Sequence, residues 1–273
     1  MKRLLFAMLV FTMLAVTFFA LPASGQEPDD IPTPPDWLRV YQFKQETFTF
    51  VRLRYNQVPQ RVGGRFLRAN SWQTDYPDAE LQFGAHLAQV LPLNVTDPVI
   101  LTITDERLPG HPFAYMVEPG RVELTDAEVP ALRNYLQGGG FLMVDDFWGE
   151  AELASFMAQM KRVFPDRQSE KLALDHPIFH CVYELKVRPQ VVSIHTFLQP
   201  GRETEFEGAD PADYRAIFDD NKRMMVLICH NTDLADGWER QSVSPEYTRE
   251  MSQKLALPMG TNIVFYALTQ QAE

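Results

Sequence analysis

Two carboxylates in a row, Asp145-Asp146, close the apolar run Phe141-Leu142-Met143-Val144 and are followed by Phe147-Trp148-Gly149. Paired acids beside an aromatic ring, at a glycine turn, are suited to hold ligand hydroxyls and stack an apolar ring face. The plainer use of such an Asp is to cap the helix that follows. A second polar group, His230-Asn231-Thr232-Asp233, ends the run Met224-Met225-Val226-Leu227-Ile228-Cys229, and Thr104-Asp105 ends Val99-Ile100-Leu101. Asp236-Gly237-Trp238-Glu239-Arg240 and Trp72-Gln73-Thr74-Asp75-Tyr76-Pro77-Asp78 repeat the pairing of a Trp with acids. The ligand-binding candidates are therefore Asp105, Asp145, Asp146, Trp148, His230, Asn231, Asp233 and Trp238. General acid–base chemistry would need a carboxylate and a histidine within hydrogen-bond reach, and its candidates are Asp145 or Asp146 with His176 or His230.

Other chemistries find less support. His176 and His180 are four apart, but Pro177 opposes the helix that would place them on one face, and no further Cys or His stands at ligand spacing. No metal and no cofactor are expected. Neither Gly-x-Ser-x-Gly nor Gly-x-Cys-x-Gly occurs, so no nucleophile elbow is legible. Cys229 and His230 are adjacent on a strand, which sends their side chains to opposite faces. His111 and His195 read as loop or surface residues.

These residues need elements to position them. Phe48 to Tyr55 alternates and is rich in aromatic and branched residues, which predicts a strand. From Asp78, the spacing of Phe83, Leu87, Val90 and Leu91 predicts a helix, and Val99 to Asp105 predicts a buried strand. Thr125-Asp126-Ala127-Glu128 fits a capping box ahead of Val129, Leu132 and Leu136, and Gly138-Gly139-Gly140 ends that helix. Phe141 to Asp146 is the next strand, and Leu153, Phe156, Met157, Met160 and Phe164 mark a helix after it. Arg223 to His230 is a strand, Ser244-Pro245 opens a helix that Gly260 ends, and Asn262 to Leu268 is expected to form the last strand. Periodicity is poor between Pro165 and Asp220. Alternating strands and helices predict a three-layer α/β fold, a mostly parallel sheet covered on both faces. In such a sheet ligands bind outside the carboxyl ends of the strands, where these polar groups fall.

Composition sets the outer bounds. The chain has 273 residues, 45% hydrophobic, with 25 Lys plus Arg against 36 Asp plus Glu, a net charge of −11. An acidic chain without a basic cluster is a poor tracker of phosphates, so no nucleic-acid partner is expected. Met1-Lys2-Arg3, the apolar run Leu4 to Leu21 and the small residues Pro22 to Gly25 predict a secretory signal over 1–25. An uncleaved anchor is the competing reading, because 18 apolar residues reach the lower limit for a span. Cleavage leaves 248 residues with 23 basic and 36 acidic side chains, a net −13. Residues 26–36 form a proline-rich acidic linker and 37–273 a single α/β domain, placed in the periplasm or secreted. Two cysteines, Cys181 and Cys229, do not make a disulfide scaffold, and buried free thiols are expected over a bridge.

Long strings in order add a resemblance: Trp72 to Glu80, Gly138 to Gly149, Val163 to Arg167, Asp175 to His180, His230 to Asp233, Gly237 to Arg240 and Gly260 to Ile263. Together, over residues 48 to 270, they resemble the exported bacterial family called domain of unknown function 4159. The resemblance implies a fold similar to class I glutamine amidotransferases and trehalose-utilisation-like proteins, a flavodoxin-like arrangement. In that wider group a nucleophilic Cys follows the central strand. Here Asp145-Asp146-Phe147 stands in that region and no His is followed two residues later by Glu, so amidotransferase activity does not carry over. The expected function is an exported, non-catalytic domain that binds a small polar ligand, carbohydrate above all, or an envelope partner protein. The alternative is a hydrolase of glycan or amide bonds built on an Asp/His pair.

Overall fold

The computed structural model describes residues 31–270, apart from 45, 59–60, 63–64, 67–69, 202–203 and 206–210. The expected signal segment over 1–25, and the linker up to residue 30, lie outside the described residues. Among the described residues no helix is long and apolar enough to cross a membrane.

Seven strands form one sheet. In chain order they are β1 (Thr47–Arg54), β4 (Asn94–Thr102), β5 (Phe113–Val117), β6 (Phe141–Asp145), β7 (Glu170–Lys171), β8 (Asp213–Phe218) and β9 (Met224–His230). Strands β2 (Arg61–Val62) and β3 (Arg65–Phe66) form a separate antiparallel hairpin. The order across the sheet is β4-β1-β5-β6-β9-β8-β7. The first five are mutually parallel, and β8 is antiparallel to both β9 and β7. The chain passes from β1 out to β4 and then returns to the other side of β1 as β5, so the connections leaving β1 and β5 diverge and open a crevice at their carboxyl ends.

Helices cover both faces. Alternation along β5 sends Phe113, Tyr115 and Val117 to one core and Ala114 and Met116 to the other. The first core packs under α1 (Asp78–Val90), α5 (Leu234–Glu239) and α7 (Leu257–Thr269), and the second under α2 (Glu128–Gln137) and α3 (Gly149–Val163). Short helices α4 (Ile194–Phe197) and α6 (Pro245–Tyr247) complete the set. The capping box forms as the sequence implies: Glu128 N–H donates to Thr125 Oγ1 at 3.2 Å and Thr125 N–H to Glu128 Oε2 at 2.8 Å. Both cysteines are free thiols, Cys229 buried and Cys181 half-buried.

Two elements differ from expectation. Asn262 to Leu268 is not a strand but the body of α7, in a helical segment that runs from Pro245 through a π-helical stretch, Thr248–Ala256. The unbroken apolar and aromatic stretch Ile263 to Leu268 carries no periodicity that separates a strand from a buried helix. Gly260 does not end a helix either. It sits inside α7, where a Cβ would come within 2.6 Å of the Phe83 ring and 2.9 Å of Trp238, so glycine serves close approach of helices. Strand β5, central in the sheet, is absent from the sequence reading, because five buried residues after a His-Pro pair show no alternation.

Candidate functional site: an acidic cavity at the carboxyl rim

Four loops that leave the carboxyl ends of β1, β5, β6 and β9, with part of the connection between β7 and β8, meet around a cavity of about 400 Å³. Its walls carry seven carboxylates: Asp75, Glu118, Asp146, Glu152, Glu205, Asp233 and Asp236. Among the described residues, Arg121 and Arg240 are the arginines that oppose them there, and Thr74, Trp148, Ser193 and His195 also line the cavity. The excess of acid over base is what a ligand would meet first.

Each acid is held from below. Asp75 follows Trp72 and Thr74, whose backbone oxygens accept from Arg52 Nη1 at 3.4 and 3.1 Å. Arg52, fully buried in β1, is held in turn by Glu80 of α1. Glu118 ends β5, accepts the Thr74 hydroxyl at 2.7 Å, and has its N–H bound to Asp145 O at 3.0 Å. Asp146 accepts the Trp148 indole N–H at 3.1 Å. Glu152 lies across Gly120, where a Cβ would come within 2.5 Å of it, and accepts the Trp148 backbone N–H at 3.0 Å. Asp233 caps α5 by accepting the Asp236 N–H at 2.9 Å. Asp236 Oδ2 accepts from Ile194 N–H at 2.6 Å and from the Tyr247 hydroxyl at 3.1 Å. Asp75, Glu118 and Asp146 all adopt left-handed backbone, with φ of 62°, 45° and 55°. For residues other than glycine this costs about 1 kcal/mol or more each.

Crowding of acids in a sheltered space favours their protonated forms. Burial, then Asp236, pushes the Asp75 carboxyl up to about 7. Burial, then the neighbouring acids Glu118 for Asp146 and Asp146 for Asp233, raises both of those groups as well. Burial raises Glu152 too. Oxygens of Asp75, Asp233 and Asp236 lie within 4.8 Å of one another, so these three could hold a hard cation, an ammonium group or shared protons.

The structure divides the sequence candidates. Asp146, Trp148 and Asp233 line the cavity. Asp145 is fully buried, its Oδ2 taken by Leu234 N–H, Ala235 N–H and the Tyr115 hydroxyl, and burial raises its carboxyl to about 8. It lies in the core, outside the cavity lining. His230 points to the opposite face, where its ring meets Phe147 and its Nε2 bonds Gly149 O at 3.0 Å. Strand alternation is the reason: Cys229 belongs to the α5 side and His230 to the α3 side. Asn231 ties β9 to α3, its Oδ1 accepting the Gly149 N–H at 2.9 Å. His176 packs on Phe218 and Tyr266 beside the amino ends of the parallel strands, across the molecule from the cavity. Asp105 follows the edge strand β4 and forms a two-pronged ion pair with Arg107, outside the cavity. Trp238 offers no ring face, being fully buried, stacked on Phe83 at 4.2 Å and bonded through Nε1 to Ala256 O. No hydrogen bond joins Asp145 or Asp146 to His176 or His230, so the expected Asp/His pair does not form.

Sequence reading missed Glu118, Arg121, Glu152 and Glu205. Glu118 and Arg121 follow the strand that carried no signal. Asp75, Asp236 and Arg240 lie inside the Trp-bearing segments Trp72 to Asp78 and Asp236 to Arg240.

Fold and site define an open α/β sheet protein with an acid-lined cavity at its topological switch point. A family model matches residues 49–268, and the chain belongs to that family, Domain of unknown function (DUF4159). No curated protein matches the chain.

Proposed function

We propose that this protein is an exported binding domain whose acidic cavity takes a small molecule rich in hydrogen-bond donors, a polyhydroxylated or amino-bearing compound of carbohydrate type. Ionised carboxylates only accept hydrogen bonds, so those of the seven cavity acids that are ionised call for hydroxyl or ammonium donors. One observation carries the reading: three separate loops each hold a cavity acid on left-handed backbone. Strain of that kind gathers at sites kept for function. The basic start and apolar run of residues 1–25 support export. An envelope protein inserting a lysine would meet the same chemistry.

The test is a thermal-shift series on residues 26–273 with cell-wall and storage sugars, amino sugars and divalent cations. A true ligand at 100 times its dissociation constant adds about 2.7 kcal/mol, a shift of several degrees in a domain of this size. No shift with any compound at millimolar concentration would defeat the proposal. A second reading, hydrolysis by a carboxylate pair, is favoured by Asp75, whose carboxyl is raised to about 7 beside Asp233 and Asp236. It requires turnover of chromogenic glycosides that vanishes in Asp75→Asn. The Asp/His version has no geometric support.

A further inference from the structure

Asp145 neither lines the cavity nor touches solvent, yet it reaches the segments that carry four of the cavity acids. Its backbone oxygen accepts the Glu118 N–H at 3.0 Å. The next residue is Asp146, whose N–H meets Thr232 O at 3.1 Å. Its carboxylate Oδ2 accepts the Leu234 and Ala235 N–H groups at 2.9 and 3.2 Å, and these two residues stand between Asp233 and Asp236. The Tyr115 hydroxyl adds a third contact at 3.3 Å. The other oxygen, Oδ1, is buried with no hydrogen-bond partner. A buried acid half unsatisfied is a costly core residue, and the bonds to α5 are what it supplies.

We infer that Asp145 is a positioning residue: it fixes the first turn of α5 against the end of β6 and so sets the spacing between the Glu118/Asp146 wall and the Asp233/Asp236 wall. The importance of that spacing rests on the ligand reading above, while the positioning itself can be tested without any ligand. Asparagine keeps one acceptor oxygen for the two N–H groups, whereas alanine keeps none.

The experiment is amide hydrogen exchange, residue by residue, on the wild type, Asp145→Asn and Asp145→Ala. In the alanine variant the Leu234 and Ala235 amides are expected to exchange about 100-fold faster, while amides of Leu142 and Leu227 within the sheet stay within about threefold of wild type. The asparagine variant is expected to restore Leu234 and Ala235 to within about tenfold of wild type. Asp145→Ser, a milder cut that still withdraws the acceptor, is expected to reproduce the alanine result and serves if that variant does not fold. Equal acceleration across sheet and helix would make Asp145 a general stability residue and overturn the inference. Unchanged protection at 234 and 235, or an asparagine variant as fast as alanine, would overturn it too. Absence of every ligand shift in the wild type would defeat the ligand reading alone.

Discussion

The two ends of the sheet treat charge in opposite ways. At the amino rim, arginines are spent on the backbone: Arg223 donates to Gly140 O and Leu136 O and pairs with Asp219, Arg133 donates to Val163 O and Arg162 O, and Arg167 bonds Phe218 O and Asp220. These contacts satisfy carbonyls at the ends of α2 and α3, where the helix dipole favours cations. At the carboxyl rim, seven acids among the described residues face one cavity against two arginines, and three of the acids sit on left-handed backbone. One end spends its charges on backbone carbonyls, whereas the other gathers like charges around a cavity. The difference is what the proposed binding site at the carboxyl rim rests on.

The contrast makes the amino rim the more fragile to mutation. Arg223→Ala removes the guanidinium donors to Leu136 O, Gly140 O and Asp219 Oδ2 and is expected to cost about 3 kcal/mol in urea unfolding. A loss below about 0.5 kcal/mol would erase the distinction between the two rims.

The carboxyl rim should reveal itself through pH. Folded-state carboxyls raised above their ordinary range bind protons that the unfolded chain releases, so they stabilise the fold at low pH, and that contribution is lost as pH rises through the folded values. For Asp75 and Asp145 these are about 7 and about 8. The melting midpoint is therefore expected to fall by several degrees between pH 5 and pH 8. A midpoint that rises over the same window would mean that the acids are matched by cations after all. A smaller effect belongs to a residue outside the cavity: Thr125→Ala removes half of the capping box of α2 and is expected to cost about 1 kcal/mol, equally at pH 5 and pH 8.

Much of this architecture was legible in the residues themselves. The strands at Phe48, Val99, Phe141 and Arg223 carried alternation or compact apolar runs, and the rule that ligands meet the carboxyl ends led to Asp146, Trp148 and Asp233. What stayed hidden had physical causes. Phe113–Val117 is short and buried on both faces, so the strand and the Glu118 that ends it left no pattern. Ile263 to Leu268 is an unbroken run of apolar and aromatic residues because most of α7 is buried, and periodicity cannot tell such a helix from a strand. The pairing of Asp145 with His230 failed on a parity argument: Asp145 bonds α5 on one face and His230 meets Phe147 on the other. Trp238 shared its pattern with Trp148, and only packing showed which ring was core.

The most direct test of the account is the stability of Asp233→Asn. Asparagine caps a helix as well as aspartate does, so the Asp236 N–H keeps its partner while one cavity charge is removed. If the carboxyl rim is kept for a ligand at the expense of the fold, the variant gains about 1 kcal/mol over wild type in urea unfolding at pH 8, gains little at pH 5, and loses any ligand-induced thermal shift. A variant less stable than wild type at pH 8 would show that the charge serves the fold, and would contradict the central claim.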